Sequence, residues 1–290
     1  MKRENQIAVA FRKLLKNKLA TFCFILLILE LILVIGAPLF TKFDPLAQDI
    51  IHHSAPGFWA KSSPKYMEGH WLGTDELGRD VWARLLYGGR VSLSVGFIST
   101  FFGIIIGTFF GVLAGFYKKL DMLISRFMDI LFTFPGVLLA LLIVAMLGVD
   151  TKNAAIAISI WSIPSFARMI RGRVLQIKEE EYIMAIRSIG AKDKTIILKH
   201  VLINALPTII VIATMRIASS IMSIATLSYL GLGVPTPTPE WGSMISTGKQ
   251  MIFDAPWLII IPGIAVCITV ICFNILGDKL RDILDPSLKD

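Results

Sequence analysis

Asp75, Glu76, Arg79 and Asp80 crowd into one short stretch ahead of a long apolar run. Paired carboxylates can act as acid and base, yet no nucleophile partnered by a base and no cage of metal ligands accompanies them. An outer-surface salt-bridged cap is the better reading. His52, His53 and His70 could offer imidazole nitrogens to a metal, but their spacing enforces no convergence. Cys23, Cys267 and Cys272 all lie in apolar stretches, where a thiol behaves as a small hydrophobe. No Gly-Lys-Ser/Thr phosphate loop occurs, so a nucleotide cannot be cradled here by the usual route, and no bound cofactor is expected. Glu30 and Arg216 are set deepest in apolar sequence, which makes them pathway candidates; the alternative is an Arg216 that snorkels and a Glu30 paired with a neighbouring subunit.

The elements that must position these residues follow from composition. With 55% hydrophobic residues, 17% charged residues and a mean hydropathy of +0.71, the chain is too apolar for a soluble globular protein. Its 29 Lys and Arg against 21 Asp and Glu are spread between hydrophobic runs, unlike the gathered basic surface that nucleic acid requires. About 20 apolar residues cross a bilayer as a helix. Six such runs occur, over Ala20 to Phe40, Leu93 to Tyr117, Phe127 to Leu147, Ala154 to Ile170, Val201 to Leu230 and Trp257 to Leu276. The first run is too long for a signal-peptide core and should remain as an anchor. Lys and Arg are concentrated in Met1 to Lys18, around Lys118, Lys119 and Arg126, between Arg168 and Lys199, and at Lys279, Arg281 and Lys289. Cytoplasmic loops keep such an excess, so both termini are expected in the cytoplasm; the long, basic Lys42 to Arg90 segment is an exception the rule tolerates. The expected divisions are a cytoplasmic 1–19, an anchor helix 20–40, an extracytoplasmic 41–89, a membrane-embedded helical domain 90–278 and a cytoplasmic 279–290.

Gly103, Gly107, Gly111 and Gly115 recur every fourth residue in the second run, which lines one helix face with residues another helix can approach closely. Pro135, Pro164, Pro207 and Pro262 interrupt other spans, as tolerated where protein or water satisfies the freed backbone. The longest cytoplasmic loop reads as helix, turn, helix: Glu179 to Glu181 suit a helix start, and Gly190 stands where a left-handed cap would end it. Asp193 is then placed to cap the following helix. Ile183, Ile186 and Ile189, with Tyr182 alongside, form an apolar stripe that is expected to seek a protein partner.

This loop, followed by Leu206-Pro207, resembles the EAA loop of permeases from binding-protein-dependent ABC importers. Ala185 and Gly190 match that pattern; Met184 and Ile186 depart from it. The stretches His70 to Asp80, Leu227 to Gly233, Pro239-Glu240-Trp241-Gly242 and Asn274 to Asp278 are similar to the second permease of peptide and nickel importers. The resemblance implies an all-α membrane protein with six transmembrane helices and a five-helix ABC type-1 permease core in a bacterial or archaeal cytoplasmic membrane. It also implies a loop that docks on an ATPase through Glu181, Tyr182, Ala185, Ile186, Gly190 and Ala191. Expected partners are a homologous second permease, two ATPase subunits carrying ATP and Mg, and an extracytoplasmic binding protein. Short peptides are the expected substrate, with nickel or another metal chelate as the alternative. An ion-driven secondary transporter is the rival of another class, though no internal repeat supports it.

Overall fold

A computed structural model describes residues 12–284 of the chain. Lys2, Arg3 and Lys289, which entered the charge asymmetry, lie outside the described residues. Helices α1 (Lys18–Ile35), α2 (Val81–Phe116), α3 (Lys118–Thr133), α4 (Gly136–Leu147), α5 (Thr151–Lys178), α6 (Glu181–Ser188), α7 (Leu202–Tyr229), α8 (Trp241–Gly248) and α9 (Trp257–Leu284) carry the architecture, and no strand occurs among the described residues. Four stretches are long and apolar enough to cross a membrane, α1, α2, Asp193–Tyr229 and α9; α3 and α4 together would make a fifth.

Two expected spans take a different form. The third is broken, because Pro135 ends the helical course and α3 meets α4 at 88°. The fourth grows to the 28 residues of α5 but is less apolar than the others, since its Ser159, Ser162 and Pro164 face protein, not lipid. The second begins at Val81, not Leu93, because the Asp80 carboxylate accepts a hydrogen bond from the Ala83 N–H at 2.6 Å and starts α2 there.

The glycine register explains the central packing. An added Cβ at Gly103, Gly107, Gly111 or Gly115 would lie 2.9, 2.4, 2.7 and 2.7 Å from atoms of Ser162, Phe166, Ala167 and Val174, so all four sit against α5. Gly96 extends the face in another direction, with Ile221 of α7 at 2.5 Å from its would-be Cβ. Hydroxyls add polar ties between the helices: Ser99 donates to the Ala155 carbonyl at 3.1 Å, and Thr100 and Ser220 share a hydrogen bond of 3.1 Å. The anchor helix α1 joins this core through a cluster that includes Cys23, Leu27, Val34, Val266, Cys272 and Phe273. Arg90 of α2 ties down its end, donating to the carbonyls of Val34 and Ile35 at 2.8 and 2.6 Å.

Before α7 the chain makes one turn of Asp193–Ile196 and then a π-turn over Ile197–Val201, in which the Leu202 N–H reaches back to the Ile197 carbonyl. Lys192, and not Asp193, occupies the helix-capping position; Asp193 lies in the first turn and pairs with Arg187 at 3.6 Å.

Candidate coupling loop and pathway

Helix α2 links two chemically distinct ends of the bundle. At the end where it begins, Arg79 donates to Asp75 at 2.7 Å and to Glu76 at 2.8 Å, Arg84 lies 3.2 Å from Asp75, and His70 meets Asp80 at 2.8 Å. Asp75, Arg79, Asp80 and Arg84 are all nearly inaccessible, so the expected salt-bridged cap exists but is interior. Each carboxylate of this network thus has a cationic or imidazole partner, as buried charges require. Glu240, which lies wholly buried in the Pro239–Gly242 stretch, joins this end. It accepts from the Ser92 hydroxyl and the Ser243 N–H, each at 2.8 Å, and so fixes the short α8 against α2. Trp241 Nε1 adds a donor to the Leu85 carbonyl at 2.9 Å.

At the opposite end, α6 is propped off the bundle by its buried side. Ile183 is 1% exposed and packs with Phe116, Ile177 and Val201, with Ile186 and Ala191 half-buried behind it. The expected apolar stripe is therefore divided. Ile183 and Ile186 point inward, because residues three apart share the helix face that turns toward α2, α5 and α7. Ile189 lies beyond the helix and is 84% exposed. The outward surface includes Glu181, Tyr182, Met184, Ala185, Arg187, Ser188 and Ile189, closed by Gly190 at φ +86°. That left-handed conformation admits glycine without strain. The Tyr182 hydroxyl accepts from Asn204 Nδ2 at 2.9 Å, which ties α6 to the first turn of α7. Lys178 donates to the terminal carbonyl of α2 at Phe116, 3.1 Å away. The six loop residues expected to act together thus occupy one feature, some facing out and some holding it in place.

Glu30 and Arg216 are not brought together. Glu30 accepts from the Thr269 hydroxyl at 2.5 Å and borders an apolar cavity of about 320 Å³ between α1, α2 and α9. Arg216 faces α5, where its guanidinium donates to the Ser165 hydroxyl and lies 6.0 Å from the Trp161 ring centre. Neither Trp161 nor Ser165 was singled out from sequence. Both sit on a helix whose short, interrupted apolar run gave no signal beyond Pro164.

Residues 103–290 match the family described as binding-protein-dependent transport system inner membrane component, and residues 5–56 match the N-terminal TM domain of oligopeptide transport permease C. The chain is 43% identical to the dipeptide transport system permease protein DppC of Alkalihalophilus pseudofirmus, over 97% of its own length and 90% of that protein. It is 49% identical to the glutathione transport system permease protein GsiD of Escherichia coli, over 76% of its length and 73% of that protein. Among solved structures, an inward-facing form of the MetNI methionine ABC transporter matches with a TM-score of 0.58 and 24% identity, covering 69% of this chain and 95% of that one. At that identity the likeness concerns the fold.

Proposed function

The chain belongs to the inner membrane components of binding-protein-dependent transport systems, the permeases of ABC importers, and from that premise we propose that it forms half of a pore importing short peptides. As such a permease it is a multi-pass inner-membrane protein that works with other subunits. The relatives named above carry a dipeptide and glutathione in their descriptions, which favours peptides over metal chelates.

The observation that carries the mechanistic reading is α6, a glycine-terminated helix packed at one end of the bundle with an outward face that the other described residues leave open. In this reading α6 seats on an ATPase subunit in the cytoplasm, and both termini lie on that side. ATP and Mg are bound by two such subunits, a homologous permease completes the pore, and a binding protein delivers peptide to the end carrying the Asp75 network. Closure of the ATPases moves α6 and switches which side is open. Rigid attachment of α6 through Ile183, Tyr182 and Asn204 is what lets a push there reach α7.

The test is peptide uptake into proteoliposomes containing the chain with its co-expressed permease and ATPases. Accumulation is expected only with ATP and peptide-loaded binding protein. Uptake driven by an ion gradient without ATP would overturn the reading.

A further inference from the structure

Arg216 lies halfway along α7, at the depth of its apolar span, and the groups it meets, Ser165 and Trp161, are neutral. Among the described residues no carboxylate pairs with it. A cation in this position is costly unless it faces water or a charged ligand. The surrounding surface indicates water. The exposed side of α2 presents Phe97, Phe101, Phe102 and Phe109, and that of α9 presents Ile260, Ile264, Ile268 and Ile271, as suits lipid. By contrast, the open stripe of α7 runs through Ser219, Met222, Thr226 and Tyr229, and Arg216 flanks it on the side of α5. The hydroxyls of Ser219 and Thr226 donate to carbonyls four residues back, at 3.3 and 2.8 Å, which leaves their lone pairs free to accept. A stripe that interleaves hydroxyls with Met222 and Tyr229 suits a wet passage better than the all-apolar faces of α2 and α9 do.

Trp161 is pinned in place. A Cβ on Gly136 would fall 1.8 Å from its Nε1, so the ring lies against the break between α3 and α4 and forms a fixed wall. Ser165 uses one guanidinium donor of Arg216, and the planar fork has others to offer. A guanidinium beside a hydroxyl and an aromatic wall matches a carboxylate, which accepts two parallel N–H bonds.

We infer that Arg216, Ser165 and Trp161 form a transient carboxylate site in the passage, which takes the free C-terminal carboxylate of a short peptide in transit. This rests on the peptide-import reading. Partial exposure of Arg216 keeps the site weak, since water competes for the guanidinium, and a passage needs sites that release what they bind.

The test uses the complete importer in proteoliposomes and compares uptake of a dipeptide and its C-terminal amide at concentrations saturating the binding protein. Arg216→Gln is expected to lower uptake of the acid about tenfold, as loss of a charged hydrogen bond would, while amide uptake and binding-protein-stimulated ATP hydrolysis stay at wild-type levels. Arg216→Lys should restore part of the acid uptake. Unchanged acid uptake overturns the site. Equal loss of acid and amide also overturns it, and would make Arg216 a structural partner of the second permease. If Arg216→Gln fails to assemble, Ser165→Ala decides: a fall in the acid-to-amide ratio is expected, and an unchanged ratio overturns the site. A wild-type importer that takes up no peptide overturns the peptide-import reading itself, a result distinct from all of these.

Discussion

Glu240 accepts a hydrogen bond from Ser92 at 2.8 Å with both residues buried, and together with the Trp241–Leu85 bond this contact joins α8 to α2 across most of the permease domain. The same carboxylate holds the Ser243 N–H at the start of α8. Glu240→Ala takes this acceptor from the buried Ser92 hydroxyl and Ser243 N–H and is expected to cost about 2 kcal/mol or more. Glu240→Gln keeps one amide oxygen for one of those donors and should cost less. Thermal unfolding of the purified chain in detergent checks the order; equal stability of both variants with wild type would refute it.

The glycine register makes a prediction about the chain's own interior. At Gly107 the Phe166 side chain stands where a Cβ would go, so Gly107→Leu forces α2 and α5 apart, at a cost of about 1–3 kcal/mol typical of overpacking. Gly111→Leu meets the Ala167 carbonyl and should behave alike. Gly172 has nothing within 4 Å of a would-be Cβ, and Gly172→Ala should be tolerated. Melting temperatures and yields of the three variants decide it.

Coupling is tested on α6 without touching a span. Gly190→Val strains a residue held at φ +86°, and Ala185→Asp puts a carboxylate on the outward face that an ATPase would desolvate. Both variants are expected to insert and pair with the second permease, yet to lose co-purified ATPase or binding-protein-stimulated turnover. Wild-type values for both would mean that α6 is not the coupling element.

Sidedness is open to thiol labelling of a cysteine-free background. Glu240 is too buried to serve as a probe, but Lys61, in the segment between α1 and α2, and Thr238, two residues before Glu240, are exposed, and Lys192 is exposed beside α6. Cysteines at 61 and 238 should react with an impermeant reagent from outside, and one at 192 only after permeabilisation. The reverse pattern would invert the orientation.

How far the sequence carried can be judged residue by residue. The fourfold glycine spacing showed a close helix contact, and Gly190 showed a turn, because both depend on a missing side chain at a given position. The start of α2 was hidden since Arg84 and Arg90 interrupt the apolar run that a span is read from. Their charges are met at a distance in sequence, by Asp75 and by the Val34 and Ile35 carbonyls. The inward turn of Ile183 was illegible for a similar reason: the period of a stripe gives a face but not its direction. Ser165 and Trp161 became visible only once α5 was laid beside α7.

The π-turn at Ile197–Val201 stores one residue more than an ordinary helical turn needs. An α-helix advances about 100° per residue. Expelling that surplus into the preceding loop would therefore rotate the whole of α7 by about that angle relative to α6, like a thread slipping one notch. Arg216 and Ser219 would then swing to new bearings about the helix axis, keeping the backbone hydrogen bonds within α7 while giving up the side-chain ties of Asn204 to Tyr182, Arg216 to Ser165 and Ser220 to Thr100.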